Sequence, residues 1–248
     1  MISIKTNEEL ELMRISGKIN YETHELLKEK IKVGITTEEL NNMAESFIKD
    51  RGGIPSFKGF EGYPKTICTS INEEVVHGIP NKRVLCEGDV ISIDIGVIYK
   101  GFHSDAARTY IVGKSKNKKH ELFLKATEEA LKAGMKKVKS GVMVKDVSEA
   151  IASVAIKYNL GIVKELVGHG VGRQLHEEPD IPNFKNNSNV ILKEGMTIAI
   201  EPMFTLGKSD VWLLDNDWTI ATKDGKIAAH FEHTVAVTKT GYRIMTGE

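Results

Sequence analysis

The strongest constraint on the fold of this chain is a repeat inside it. Displaced by 107 residues, Leu85-Cys86-Glu87-Gly88-Asp89-Val90-Ile91-Ser92-Ile93-Asp94 lies over Leu192-Lys193-Glu194-Gly195-Met196-Thr197-Ile198-Ala199-Ile200-Glu201, and Gly34 lies over Gly141. L-x-E-G is a common turn entry, so one such match could be coincidence. The helical patterns that flank it repeat as well, which favours duplication. Each copy reads as two helices followed by strands, and each Ile-x-Ile strand ends on a carboxylate, Asp94 in one and Glu201 in the other. A two-fold relation between the strands would bring these two acids together.

The helices follow from apolar spacing. Leu12, Ile15, Ile19 and Leu26 predict a helix from about Asn7 to Lys30. Leu40, Met43, Ala44, Phe47 and Ile48 predict a second, opened by the capping box Thr36-x-x-Glu39. Phe123, Ala126, Ala130 and Gly134 predict a third, and Val147, Ala150, Ile151, Val154 and Ala155 a fourth that opens at Asp146.

Several function classes become poor expectations. Lys plus Arg equals Asp plus Glu at 34 each, so net charge gives no reason to expect a nucleic-acid or membrane-surface partner. The start of the chain lacks a signal-like apolar stretch and no later run is long enough to span a bilayer, so a cytoplasmic protein is expected. Cys68 and Cys86 are the only cysteines and have no metal-ligand spacing. Any metal must then be held by oxygen and nitrogen.

The acids supply that chemistry. Alternation along a strand puts Asp94 with Ser92 and Gly96, opposite Ile91, Ile93, Ile95 and Val97. After a turn at Tyr99-Lys100-Gly101, a returning strand would carry Asp105, Ala107 and Thr109 on one face, close to Asp94. The last segment repeats the pattern, with Glu232 on the face of His230, Thr234 and Ala236. Acids on apolar strands are costly unless paired or metal-bound, and these strands offer no Lys or Arg on the matching face. Arg108 lies on the opposite one. His169, within Gly168-His169-Gly170-Val171-Gly172, sits where backbone approaches a bound group closely and completes the set. The same glycines make only a weak dinucleotide fingerprint. One imidazole and four carboxylates suit Mn, Fe, Co or Zn, and bridging acids can hold two ions about 3.5 to 4 Å apart, a hydrolytic arrangement.

Ordered blocks along nearly the whole chain resemble one family, the type I methionine aminopeptidases. They are Gly62-Tyr63-Pro64-Lys65, Ser70-Ile71-Asn72-Glu73 with Val75-Val76-His77-Gly78-Ile79-Pro80, Asp94-Ile95-Gly96, Gly101-Phe102-His103-Ser104-Asp105, the His169 block with His176-Glu177-Glu178-Pro179, Glu201-Pro202 and Glu232-His233-Thr234. The resemblance implies an α/β pita-bread fold, a single catalytic domain over 1–248 with pseudosymmetric halves of roughly 1–110 and 111–248. It also implies two divalent ions (Co, Mn, Fe, Ni or Zn), with Asp94 on one, His169 and Glu201 on the other, and Asp105 and Glu232 bridging.

By the same resemblance, Glu201 carries the proton, His77 lies near the leaving group and His176 near the developing oxyanion. Phe60, Tyr63, Cys68, His77, His176 and Trp218 line a methionine pocket. Phe57, Phe60 and Leu175 depart from residues frequent in the family, which bears on that pocket's shape. His103 and His233 match no ligand and read as structural or as supports of the ligands. The implied reaction is removal of initiator Met from nascent peptides with a small second residue, by a cytoplasmic monomer of the short bacterial form. Lys114, Lys116, Lys118 and Lys119 read as a solvated loop, with transient ribosome contact as the alternative. A proline-specific relative of the same fold and a metal-free binding scaffold are the competing functions.

Overall fold

The structure, a computed structural model, describes residues 2–115 and 117–247. The first half contains α1 (Asn7–Lys30), α2 (Thr37–Asp50), β1 (Ile54–Pro55), β2 (Ile67–Ile71), β3 (Glu74–Val76), β4 (Val90–Tyr99) and β5 (Phe102–Ile111). The second contains α3 (Lys118–Met135), α4 (Val144–Tyr158), β6 (Gly161–Ile162), β7 (Gly168–Gly170), β8 (Glu177–Ile181), β9 (Thr197–Ile200) and β10 (Met203–Thr205). It continues through β11 (Val211–Leu213), β12 (Ile220–Thr222), β13 (Ala228–His230), β14 (His233–Val237) and β15 (Tyr242–Ile244). No described helix is long and apolar enough to cross a membrane.

The 107-residue displacement reappears in the hydrogen bonding. Thr36 bridges Val84, and Met143 bridges Ile191. The Gly34 amide donates to the Leu85 carbonyl at 2.9 Å, and the Gly141 amide to the Leu192 carbonyl at 2.8 Å. Gly88 and Gly195 turn the chain into β4 and β9 with φ of 87° and 86°, a conformation that a side chain would strain. Each half buries its own apolar layer. Leu40, Ile48, Ile91 and Ile93 lie in one cluster, and Val147, Ile151, Ile198 and Ile200 in another. The helices thereby cover one face of each sheet and leave the acid-bearing face to the other side.

Thr36 caps α2 as its sequence predicts, its hydroxyl accepting the Glu39 amide at 3.2 Å. The fourth helix differs in detail. It begins at Val144 rather than at Asp146, whose carboxylate instead accepts the Met143 amide at 3.3 Å from inside the first turn. An acid three residues into a helix stabilises the start as well as one that opens it.

The strand expected around Glu232 is interrupted. β9 pairs with β14 (Ile200 opposite His233) and β10 with β13 (Met203 opposite His230) in one continuous register, but the ladder opens between them. Pro202 stands in that gap and has no amide proton to donate. The Glu232 amide crosses instead to the Ala107 carbonyl of β5 at 2.9 Å. That bond ties the acid of the second half directly to the hairpin of the first.

Candidate active site

The β4–β5 hairpin sets two of the acids. Lys100 and Gly101, with φ of 47° and 83°, form a two-residue turn in which both central residues are left-handed, matching the twist of the strands. The register then puts Asp94 opposite Ala107 and Asp105 opposite Gly96, so the two carboxyls are diagonal neighbours on one face. Cys68 of β2 lies opposite Asp94 on the other side. Glu201 follows the end of β9, Glu232 sits at the ladder gap, and His169 is central in β7.

These elements converge. His169 Nε2 lies 3.5 Å from Glu201 Oε1 and 3.9 Å from Asp105 Oδ2. Asp105, His169 and Glu232 can direct ligand atoms at one point, as can Glu201, His230 and Glu232. Burial, reinforced by mutual repulsion, pushes the carboxyls of Asp94, Glu201 and Glu232 well above the ordinary range. Burial carries Asp105 up to about 7, against hydrogen bonds from Asp94 and the Ala106 amide. Arg108, on the same strand as Asp105, pairs with Glu25 instead.

Asp94 Oδ1, Asp105 Oδ1, Glu232 Oε1 and His230 Nε2 are buried without a hydrogen-bond partner among the described residues. Orphaned groups of this kind cost about 1 to 3 kcal/mol each, more when charged. The His169 Nδ1 proton is donated to the Gly170 carbonyl at 2.8 Å, which leaves Nε2 as a lone pair aimed at the acids. Oxygen donors with imidazole suit a divalent cation of the Mn-to-Zn series, and such an ion would satisfy the orphaned atoms together. The residues present fit that group.

His230, for which the sequence suggests no role, joins the site. Its Nε2 is 3.3 Å from Glu201 Oε2 and 3.7 Å from Glu232 Oε2, and burial holds its pKa down to about 3. The signal was its place two residues before Glu232 on the same strand face. His103 and His233 point elsewhere, Nδ1 of the first to the Ser56 hydroxyl and Nδ1 of the second to the Thr246 hydroxyl.

Above the acids lies a cavity of about 560 Å³ whose walls include Phe60, Tyr63, Cys68, His77, His176 and Trp218. Phe57 and Leu175 complete the apolar side. The Tyr63 hydroxyl sits between the carbonyls of Ile67 (3.1 Å) and Gly78 (3.0 Å), and its ring meets Trp218 edge-on at 5.0 Å. The His176 ring meets His169 at 4.4 Å and Phe60 at 5.3 Å. Burial brings His77 down to about 4 and lowers His176, so both rings are neutral near pH 7.

Phe57 reaches the pocket across Gly96, where a Cβ would come within 2.5 Å of its ring and 2.6 Å of Ser56 Cβ. Gly96→Ala is therefore expected to destabilise the protein by about 1 to 3 kcal/mol through overpacking, and a chemical denaturation curve measures it. An unchanged midpoint would show that Phe57 withdraws freely.

Of the basic stretch, Lys118 and Lys119 open α3 and the Lys114 amide donates to Glu87. Lys116 lies outside the described residues.

Residues 11–239 match the description of Metallopeptidase family M24. Methionine aminopeptidase 1 of Bacillus subtilis (strain 168) is 49% identical over 247 residues, 99% of each chain. Crystal structures of methionine aminopeptidases superpose closely. That from Thermotoga maritima gives a TM-score of 0.97 at 41% identity over all of both chains. That from Rickettsia prowazekii gives 0.97 at 39% over 99% of this chain and all of the other. The described α-helices on antiparallel sheets are thus the pita-bread fold. Because the similarity runs end to end in both sequence and structure, this chain belongs to metallopeptidase family M24, among its methionine aminopeptidases.

Proposed function

We propose that this chain removes the initiator methionine from nascent peptides by metal-assisted hydrolysis, favouring a small second residue. The single observation that carries the reading is the buried set of Asp105, His169, Glu201 and Glu232, with half-buried Asp94 beside them, at the floor of an apolar cavity. In this reading residues 1–248 act as one catalytic domain, a cytoplasmic monomer. Asp94, Asp105, His169, Glu201 and Glu232 would hold two divalent ions, Asp94 serving one and His169 with Glu201 the other. Such ions would supply Lewis acidity for the attacking water and the scissile carbonyl.

The chain's own groups do the rest. Phe57, Phe60, Tyr63, Cys68, Leu175 and Trp218 enclose an unbranched thioether side chain, which fits such a pocket by its flexibility and polarizability. Glu201 accepts the proton of the attacking water and delivers it to the leaving amine. The neutral His176 imidazole donates to the oxygen on which negative charge grows, and His77 stands by the leaving group.

His176→Ala is expected to lower kcat on Met-Ala-Ser by about 10²-fold with little change in KM. An effect confined to KM would mean uniform substrate binding instead. Metal analysis of the purified protein, followed by assays of Met-Ala-Ser and Ala-Pro-Ala with each divalent ion, tests the whole reading. Cleavage of only the proline peptide, or a folded protein that takes up no metal, would replace it with one of its rivals. A transient ribosome contact by the basic stretch starting at Lys114 belongs to the reading too. Without co-sedimentation with ribosomes that stretch is simply a solvated loop.

A further inference from the structure

His176 stands at the end of residues 172–176, a run of bends that leads into β8 at Glu177. Among the described residues its ring makes contacts with His169 and Phe60 but no hydrogen bond, so its nitrogens are free for a substrate. Beyond those ring contacts, the aim of the ring depends on the backbone beneath it. That backbone is fixed through the next residue.

Glu177 Oε1 accepts the Gln174 amide at 3.1 Å, closing the loop on itself. Its Oε2 accepts from the Ser3 hydroxyl at 2.6 Å and from Lys5 Nζ at 2.7 Å, and Lys5 also donates to Ser3. The side chains of Lys5 and Glu177 are only 4% and 12% exposed. Burial works against the Glu177 charge, but the bonds from Lys5, Ser3 and the Gln174 amide outweigh it and hold the carboxyl at about 2. Residues 3–5 are themselves anchored, the Lys5 amide donating to the Gly195 carbonyl at 2.8 Å at the turn into β9.

Gly172 makes room for the pair: a Cβ there would come within 2.5 Å of Lys5 Cε and 2.7 Å of Glu177 Oε1. Of the other ties, the His103 amide donates to the Gly172 carbonyl at 2.7 Å, at the end of the loop away from His176, and Arg173 to Glu9 at 2.9 Å is 65% exposed on the arginine side and contributes little. A buried ion pair is seldom the most stabilising occupant of its space, since well-packed apolar side chains often serve as well. What this pair adds is direction, because its carboxylate belongs to the residue beside His176.

We propose that Lys5, through its buried ion pair with Glu177, is the positioning residue for the His176 imidazole, and that residues 3–5 act as a strap across the active-site loop. This rests on the reading of His176 as the donor to the developing oxyanion.

The test is Lys5→Met, which keeps the length of the stem and removes the charge. In the metal-loaded enzyme kcat on Met-Ala-Ser falls on the order of 10-fold to 100-fold, as expected of sub-ångström misplacement of a reacting group, while KM and metal stoichiometry hold. Hydrogen exchange across residues 172–178 accelerates. In a His176→Ala background the same change costs no further kcat, because it acts only through that ring. Equal losses in both backgrounds, or an unchanged kcat in folded Lys5→Met, would overturn the proposal. Should Lys5→Met not fold, Ser3→Ala removes one donor to the same oxygen, and its smaller kcat loss must vanish in the same background. If His176→Ala itself leaves kcat unchanged, the role of His176 fails, and that result is distinct from failure of the strap.

Discussion

Glu201→Gln is expected to reduce kcat on Met-Ala-Ser by on the order of 10³-fold, the range for removal of a positioned proton acceptor. The substitution is nearly isosteric, and the Glu201 main chain keeps its bond from the Asn183 side chain at 3.0 Å. The side chain, by contrast, loses the ability to carry a proton between water and amine. A neutral amide is also a poorer partner for a divalent cation, so metal content must be measured beside the rate. Stability should move the other way. Burial and the charge of Asp105 push the Glu201 carboxyl up, so the metal-free variant sheds an unfavourable group and melts higher than metal-free wild type. A fully loaded variant that turns over at the wild-type rate would remove Glu201 from the mechanism.

Removing the metal should have the second-largest effect, and its size should depend on pH. An ion present at about 100 times its Kd stabilises the folded state by about 2.7 kcal/mol, or about 5 to 10 °C in Tm for a chain of this size. Asp105 sets the sign in the stripped protein. Its carboxyl binds a proton more tightly folded, at about 7, than unfolded, at 3.8. The stripped protein therefore loses stability as pH rises from about 4 through 7. The loaded protein gains over the same window, because protons compete with the ion for the carboxylates. Melting curves at pH 5 and pH 7.5, with and without chelator, should show a gap that widens with pH. Coincident curves at pH 7.5 would mean that the acids hold no ion.

Much of this was legible along the chain because the relevant physics is local. Thr36 and Glu39 form their capping box wherever that helix lies, and Lys100-Gly101 closes a hairpin that makes Asp94 and Asp105 neighbours without help from the rest of the fold. The repeat was legible because each half solves the same packing problem with the same glycine turns. Glu232 was harder. Its alternation with His230 was correctly visible, but the strand break at Pro202 depends on a partner strand nearly thirty residues away.

Sequence alone determined where the helices lie, the repeated strand pattern, the five residues proposed as oxygen and nitrogen donors, and the family they resemble. Tertiary structure decided which atoms face one another. Only the folded chain brings His230 Nε2 to 3.3 Å from Glu201, leaves Asp94 and Asp105 oxygens without partners, and lays Lys5 against Glu177 across 172 positions of sequence. The reason is that periodicity and capping are set by residues within a few positions of each other. Burial and ion pairing depend on segments far apart in the chain, whose meeting is fixed only when the two halves close on the site.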